Sequence, residues 1–435
     1  MAERVVVTGM GIVAANAHGL DAFERALREG RSGIRFQPQL AELGFGCQVA
    51  GVPEIGEETK RQYLSEDALR AANTSMTYAT IAAIDCWRDA GFELPGDGDA
   101  VDWDAGAIIG TGIGGVDTVG GVGVLTVAEA LNFAAKSGVD AGKVRRLGSR
   151  VVEQTMASSV SALVGGLLAL GGQVTTNSSA CTTGTEAIVD AFHRIRDGRA
   201  VRVMAGGAEG SSHYIWAGFD AMRVLARQSN DRPEAASRPM SATAGGFVPS
   251  SGAGLLMVES LSSARARGAR IHAEILGGHV NCGGQRGGGT MTAPNPEGAR
   301  RCILAALAEA GIGPDAVDAI NGHLTATMAD PLEIATWQRA LGRSPGRFPW
   351  INSTKSLVGH GLGAAGGIEA VACVLQLSRG FIHGSINCED LHPALEPFAS
   401  RIPHETIAAS PTVLAKASFG FGDVNGCLIL KTWES

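Results

Sequence analysis

The run SSACTTGTEA, Ser178 to Ala187, holds one cysteine, Cys181, among small residues and leads at once into the helical pattern EAIVDAFHRIRDG. At a helix N-terminus the unpaired N–H groups and the helix dipole favour a thiolate, which lowers the pKa of a thiol placed there. Ala180, Thr182, Thr183 and Gly184 leave room for a substrate to approach the sulfur. Taken alone, Cys181 fits a packing role as well as a nucleophile, because free cysteine is among the most buried residue types. Two other stretches bear on the choice. INGHLTATMADPLE puts His323 at the end of a strand, with Thr325 and Thr327 alternating on one face of an extended segment. INSTKSLVGHGLGAAGGIEA puts Lys355 and His360 in a loop before a Gly/Ala-rich helix start that carries Glu369. Junctions of this kind are where α/β proteins keep their sites.

The elements that must position these groups alternate in type. RVVVTGMG, AGAIIGTG, VRVMAGGA and GAGLLMVES read as strands, the last three as continuous apolar runs of a sheet covered on both faces. LDAFERALREG, NTSMTYATIAAIDCWRDAG and CTTGTEAIVDAFHRIRDG carry helical periodicity, and each ends near glycine. A second alternation follows, through RIHAEILGG, PEGARRCILAALAEAG, VDAINGH, LGAAGGIEAVACVLQLSRG and VLAKASFGFGDVNGCLILKTW. This is α/β layering. The change of half falls near Ser260 to Arg270, where SLSSARARGAR leads into a new strand, giving halves 1–260 and 261–435.

Bulk composition narrows the function classes. A chain of 435 residues, 45% hydrophobic and 18% charged, buries a large core and is not disordered. Few aromatics (5%) and a net charge of −7 argue against a general nucleic-acid binder. The eight cysteines are scattered without a CxxC pair or a close Cys/His cluster, which disfavours zinc and a disulfide scaffold. MAERVVVTGMG runs straight into a strand with no secretory pattern. The apolar part of the uncharged stretch Thr155 to Thr185, SALVGGLLALGG, suits a buried helix better than a membrane span. The expectation is a soluble, cytoplasmic protein in a reducing compartment.

Together these motifs resemble the elongating β-ketoacyl-acyl carrier protein synthases of the thiolase-like superfamily. The resemblance runs through nearly the whole chain: RVVVTGMGIV, GTGIGG, SSACTTGTEAI, AGGAE, AASRPM, GFVPSSGAG, NGHLTAT, STKSLVGHGLGAAGGIEA and SFGFGDVNG follow in the family's order. It implies two βαβαβαββ halves in a five-layered α/β/α/β/α fold, usually a homodimer, with the cysteine in the first half and the histidines in the second. By resemblance, Cys181 takes an acyl group from a thioester, and its N–H and that of Phe421 form the oxyanion hole. His323 and His360 stabilise the enolate left when malonyl-acyl carrier protein loses CO2. Lys355 and Glu369 complete the polar network, and Thr325 and Thr327 bind the phosphopantetheine arm. Phe247 faces the malonyl group, Phe421 gates the site and Ile113 meets the acyl chain. Substrates arrive on the 4'-phosphopantetheine of acyl carrier protein, and no metal or other cofactor is implied. That acidic partner needs a basic dock, for which Arg145, Arg146 and Arg223 are candidates.

The sequence departs from the family pattern at three places: Leu324 stands where H-G-T-x-T has glycine, Asp423 where GFGG has its last glycine, and Ser250-Ser251-Gly252 where a Gly-Asp-Gly turn is usual. These changes point to altered acyl-chain access and to a specialised lipid, polyene or polyketide pathway. Two alternatives stand beside condensation: a chain-length-factor-like partner subunit, against which the intact cysteine motif counts, and a cysteine acyltransferase or thiolase.

Overall fold

The structure is a computed structural model and describes residues 3–116, 118 and 150–434. Leaving aside shorter elements, the first half runs β1 (Val5–Ala14), α1 (Thr74–Asp89), β2 (Ala105–Gly110), α2 (Ser159–Leu167), β3 (Val174–Thr175), α3 (Thr183–Arg196), β4 (Arg202–Glu209) and β5 (Gly252–Ser260). The second runs β6 (Ala273–Cys282), α4 (Pro296–Glu309), β7 (Ala319–Asn321), α5 (Asp330–Leu341), β8 (Trp350–Asn352), α6 (Ala365–Arg379), β9 (Val413–Gly420) and β10 (Val424–Thr432). Both follow the same βαβαβαββ order.

Sheet order repeats as well. The strands lie β3-β2-β4-β5-β1 and then β6-β10-β9-β7-β8, so each half arranges its own five in one pattern. In each, four strands run the same way and the last one turns back antiparallel between two of them. The half-sheets meet where β1 pairs with β6 from Val5↔Ile275 to Val7↔Ala273, which makes one continuous sheet. Helices α1 and α2 cover the outer face of the first half, and α4 and α5 that of the second. Between them, α3 and α6 touch strands of both halves, giving the α/β/α/β/α layers.

The middle layer explains the odd composition of LGAAGGIEAVACVLQL. Every residue of α6 from Ala365 to Leu377 is buried, so the helix has no polar face to show. Its glycines permit contact between backbones: a Cβ at Gly367 would lie 2.1 Å from the Gly254 carbonyl oxygen, and one at Gly184 would lie 2.6 Å from the Gly367 nitrogen. The largest apolar cluster fills this seam, with Ile188 and Phe192 of α3 against Val371 and Leu375 of α6. Helix starts follow local rules. Asn73 accepts from the Met76 N–H to cap α1, and Asn295 caps α4 ahead of Pro296.

Two local expectations change. Lys355 lies not in a loop but at the start of a one-turn helix, Lys355–Val358. Thr325 and Thr327 do not share an extended segment: Ala326 between them has φ 63°, and the chain turns there. The short strands β3 and β8 and the helix α5 carry no clean periodicity and are absent from the sequence reading. Among the described residues no helix is long and apolar enough to cross a membrane.

The close contact of α6 with β5 yields a stability prediction. Gly367→Ala should lower unfolding free energy by about 3 kcal/mol, because the new methyl meets backbone that cannot move aside. A melting temperature equal to that of the parent protein would contradict it.

Candidate active site

Cys181 sits two residues ahead of α3, in a turn held open by hydroxyls. Ala180 takes φ 48°, a left-handed conformation that L-residues rarely adopt. Thr183 Oγ1 donates to the Ala180 carbonyl at 2.6 Å and accepts from the Ser179 N–H at 2.7 Å. Thr182 Oγ1 donates to the Val424 carbonyl at 2.9 Å, tying the turn to the second half. The end of β9 comes so close that a Cβ at Gly420 would lie 3.1 Å from the Cys181 nitrogen, and the Phe421 N–H faces the sulfur.

His360 Nε2 lies 3.0 Å from Cys181 Sγ. Its backbone is bound on both sides: the N–H donates to Val248 O at 2.8 Å, and its carbonyl accepts from the Ser250 N–H at 3.0 Å. Ser250 Oγ in turn donates to Gly51 O at 2.9 Å. The Ser250-Ser251 departure therefore serves to hold the histidine loop. The Leu362 N–H donates to His360 Nδ1 at 3.3 Å, which leaves the proton of the neutral ring on Nε2, facing the sulfur.

His323 crosses His360 edge to face, ring centroids 5.3 Å apart at 83°. The first turn of α5 positions it. Glu333 accepts from the His323 and Leu324 N–H groups at 2.7 and 2.8 Å, and Asp330 accepts from Thr325 and Ala326 at 2.9 and 3.1 Å. The turn at Ala326 brings the Thr325 and Thr327 hydroxyls to 3.0 Å from one another. Asp330 and Glu333 were passed over in the sequence, where the only signal is an acidic helix start, DPLE, directly after the histidine motif. Leu324 is 1% exposed and packs into the core of the second half, so this departure does not narrow the site.

Behind the histidines lies a buried ion cluster. Lys355 Nζ pairs with Glu369 Oε1. The sequence reading missed the third member, Lys416 on β9, whose Nζ lies 2.7 Å from Glu369 Oε2. Burial holds both imidazoles well below their ordinary range, and the Lys355 and Lys416 charges press the same way. Burial also pushes the Cys181 thiol up to about 11, against the lowering pull of Lys355 and the Phe421 N–H. The lowered thiol pKa expected from the helix terminus is thus overridden by desolvation. Burial likewise pushes Glu209 and Glu333 to about 7.

A cavity of about 890 Å³ opens onto these groups, and Cys181, His323, His360, Phe247, Thr325 and Thr327 all line it. The Phe247 ring stands 5.1 Å from that of His360. Phe421 lines the cavity from the end of β9, its ring 6.1 Å from Phe219, and Arg223 lies at the mouth. Ile113 is not among the lining residues; it is 41% exposed, with its N–H bound to Glu209 Oε1 at 3.2 Å. Arg145 and Arg146 lie outside the described residues.

Asp423, the departure in the terminal loop, is fully buried at φ 63°. Its carboxylate accepts from the Asn295 N–H at 2.7 Å and the Gln285 N–H at 2.8 Å. Gly283 and Gly289 pass so close that a Cβ on either would meet its oxygens at 2.4 to 2.5 Å. One carboxylate thus binds the Phe421 loop to the 283–295 segment, part of which also lines the cavity.

The ligating atoms of Cys181, His323 and His360 fall within 4.8 Å of one another, a spacing a metal ion could use. Two features oppose that use. His360 offers a protonated Nε2 toward the sulfur, and the nearby ammonium groups raise the cost of a further cation.

A duplicated α/β fold with a cysteine facing two neutral imidazoles at the end of a deep cavity defines a thiol-dependent acyltransferase class. The comparisons name the family. Residues 2–264 match the β-ketoacyl synthase N-terminal domain and residues 272–389 its C-terminal domain. The chloroplastic 3-oxoacyl-[acyl-carrier-protein] synthase I of Arabidopsis thaliana is 35% identical, over 99% of this chain and 87% of its own length. A β-ketoacyl synthase structure from Burkholderia phymatum superposes with a TM-score of 0.88 at 30% identity, covering 99% of this chain and all of its own. The ishigamide ketosynthase/chain length factor does so with 0.87 at 29% identity over the full length of both. The chain belongs to the β-ketoacyl synthase family.

Two outcomes follow from this geometry. Iodoacetamide alkylation of Cys181 should speed up steadily as pH rises through the ordinary thiol value of 9.0, since the free thiol titrates near 11. A plateau below that value would instead reveal a stabilised thiolate. Asp423→Gly should speed amide exchange at Gln285 and Asn295 by about tenfold or more, each having lost a charged acceptor. Unchanged exchange there would sever the two walls.

Proposed function

We propose that the chain condenses an acyl thioester with malonyl-acyl carrier protein, releasing CO2 and a β-ketoacyl-acyl carrier protein two carbons longer. The observation that carries this reading is the His360 Nε2–H facing Cys181 Sγ at 3.0 Å, with His323 crossed against it. In the first half-reaction the Cys181 sulfur attacks the acyl carbonyl and the carrier thiol leaves. The N–H groups of Cys181 and Phe421 receive the oxyanion. In the second, the C–C bond to the malonyl carboxylate breaks, CO2 departs and its electron pair becomes an enolate. Neutral imidazoles that donate hydrogen bonds suit that enolate oxygen, and both histidines are held neutral here. The enolate carbon then attacks the acyl-cysteine, and the Cys181 sulfur leaves.

Positions of the other residues fit the same reading. Thr325 and Thr327 bind the pantetheine arm, Phe247 packs beside the malonyl group, and Phe421 guards the acyl entrance. Lys355 and Glu369 hold the charge behind the histidines; Ile113 stands outside the cavity lining, and its contact with the acyl chain rests on the family resemblance alone. Carrier protein docks around the mouth, where Arg223 offers its positive charge. The half 1–260 supplies the nucleophile and the half 261–435 the histidines. The enzyme acts as a cytoplasmic homodimer; the exposed Trp103 and Val152 near the outer edge of the first half-sheet are apolar surface for such a contact. A thiolase would need a second cysteine in the cavity, yet Cys427 is fully buried within β10 and does not line it. The intact cysteine site speaks against a non-condensing partner subunit.

The test is intact-protein mass spectrometry with saturated, polyunsaturated and aryl acyl-carrier proteins. An acyl adduct should form on the parent protein and vanish in Cys181→Ala. His323→Ala and His360→Ala should each keep the adduct but lose roughly 10²- to 10³-fold in condensation. Absence of an adduct with every primer would sink the proposal, and the preferred primer would decide between ordinary elongation and a specialised pathway.

A further inference from the structure

Lys416 is a lysine in the centre of a β-strand with no exposed surface. It sits in register with Asn321 of β7, two residues before His323, and three residues before Phe419, whose ring lies 6.3 Å from that of His323. Its nitrogen donates to Ser418 Oγ at 2.6 Å and to the Ala417 carbonyl at 2.5 Å, and it lies 2.7 Å from Glu369 Oε2 as an ion pair. Ser418 Oγ passes the chain on to Thr185 Oγ1 at 2.9 Å. Burial works against the charged form of Lys416, and the Glu369 carboxylate beside it works in favour.

Glu369 can neutralise only one of the two lysines it binds. Lys355 already holds Oε1, so Lys416 leaves one uncompensated positive charge in the interior. Burying such a charge is costly, and a purely structural role at this position would be filled more cheaply by an apolar side chain.

We propose that Lys416 is a positioning residue of this site, a second buried cation that shares Glu369 with Lys355 and keeps His323 and His360 neutral. The function rests on the condensing reading, in which both histidines must enter the second half-reaction as uncharged hydrogen-bond donors. The other ionisable groups around them do not replace this charge. Glu333 is spent on the His323 and Leu324 N–H groups, and Glu209 on those of Gly112, Ile113 and Gly363. Cys181 and Cys373 have thiols pushed upward by burial and stay neutral. With burial, the Lys355 and Lys416 charges both lower the two imidazoles.

The experiment uses the full-length enzyme labelled with 13C-histidine and compares it with Lys416→Met and Lys416→Arg. Removing a cation raises an imidazole pKa, so in Lys416→Met the His323 and His360 signals should titrate about one pH unit higher. Malonyl-thioester decarboxylation should fall about tenfold in kcat, with KM unchanged. Lys416→Arg, which keeps the charge, should restore the parent titration. A folded Lys416→Met with parent histidine titration and parent kcat overturns the proposal. If Lys416→Met does not fold, Lys416→Gln takes its place and is read against Lys416→Arg: parent histidine titration and parent kcat refute the proposal, and upward-shifted imidazoles with a lower kcat support it. These titrations need no turnover, so failure to form the acyl adduct would defeat the condensing reading without deciding the role of Lys416.

Discussion

The site depends on one close approach, that of α3 and α6 in the middle layer. Gly184 of α3 lies against Gly367 of α6 without space for a methyl between them. That contact brings a turn from the first half, carrying Cys181, within 3.0 Å of a loop from the second, carrying His360. Larger residues at the seam would part the helices and the reacting atoms with them. The apolar surface buried along α6 supplies the driving force, and the glycines set how near the two backbones come.

Electrostatics at this junction runs against solvation. Desolvation acts on the imidazoles and the thiol alike, and the neutral form is favoured in each. Charge is confined to a layer behind them, where two ammonium groups bracket one carboxylate. A site of this kind is poor at holding a resting thiolate. It is well suited to negative charge that develops only during reaction, because its donors are fixed in place beforehand and need no reorganisation.

Departures from the family pattern act on different parts. Leu324 disappears into the core, and Ser250 secures the backbone of the His360 loop. Asp423 alone reaches the walls of the cavity, joining the Phe421 loop to the 283–295 segment through one buried carboxylate. Of the three, it is the one whose geometry bears on access for the acyl chain.

Much of this was legible in the residues themselves. Apolar runs and 3.6-residue periodicity marked the long strands and helices, since burial on both faces of a sheet leaves a direct trace in composition. Cys181, His323, Lys355, His360 and Glu369 stood out because each lies in a local motif beside glycines or threonines. Lys416 did not: a lysine in VLAKASFG reads as a surface charge on a strand, and only packing against α6 shows that it is buried on Glu369. Asp330 and Glu333 read as an ordinary acidic helix start until their oxygens are seen on the backbone of the histidine loop. The thiol pKa went the other way, because a helix terminus is visible in sequence and the desolvation imposed by distant residues is not. The sequence alone determined which groups could react and the elements that bear them. Tertiary structure decided their charge states and distances, because desolvation and contact are properties of residues far apart in the chain.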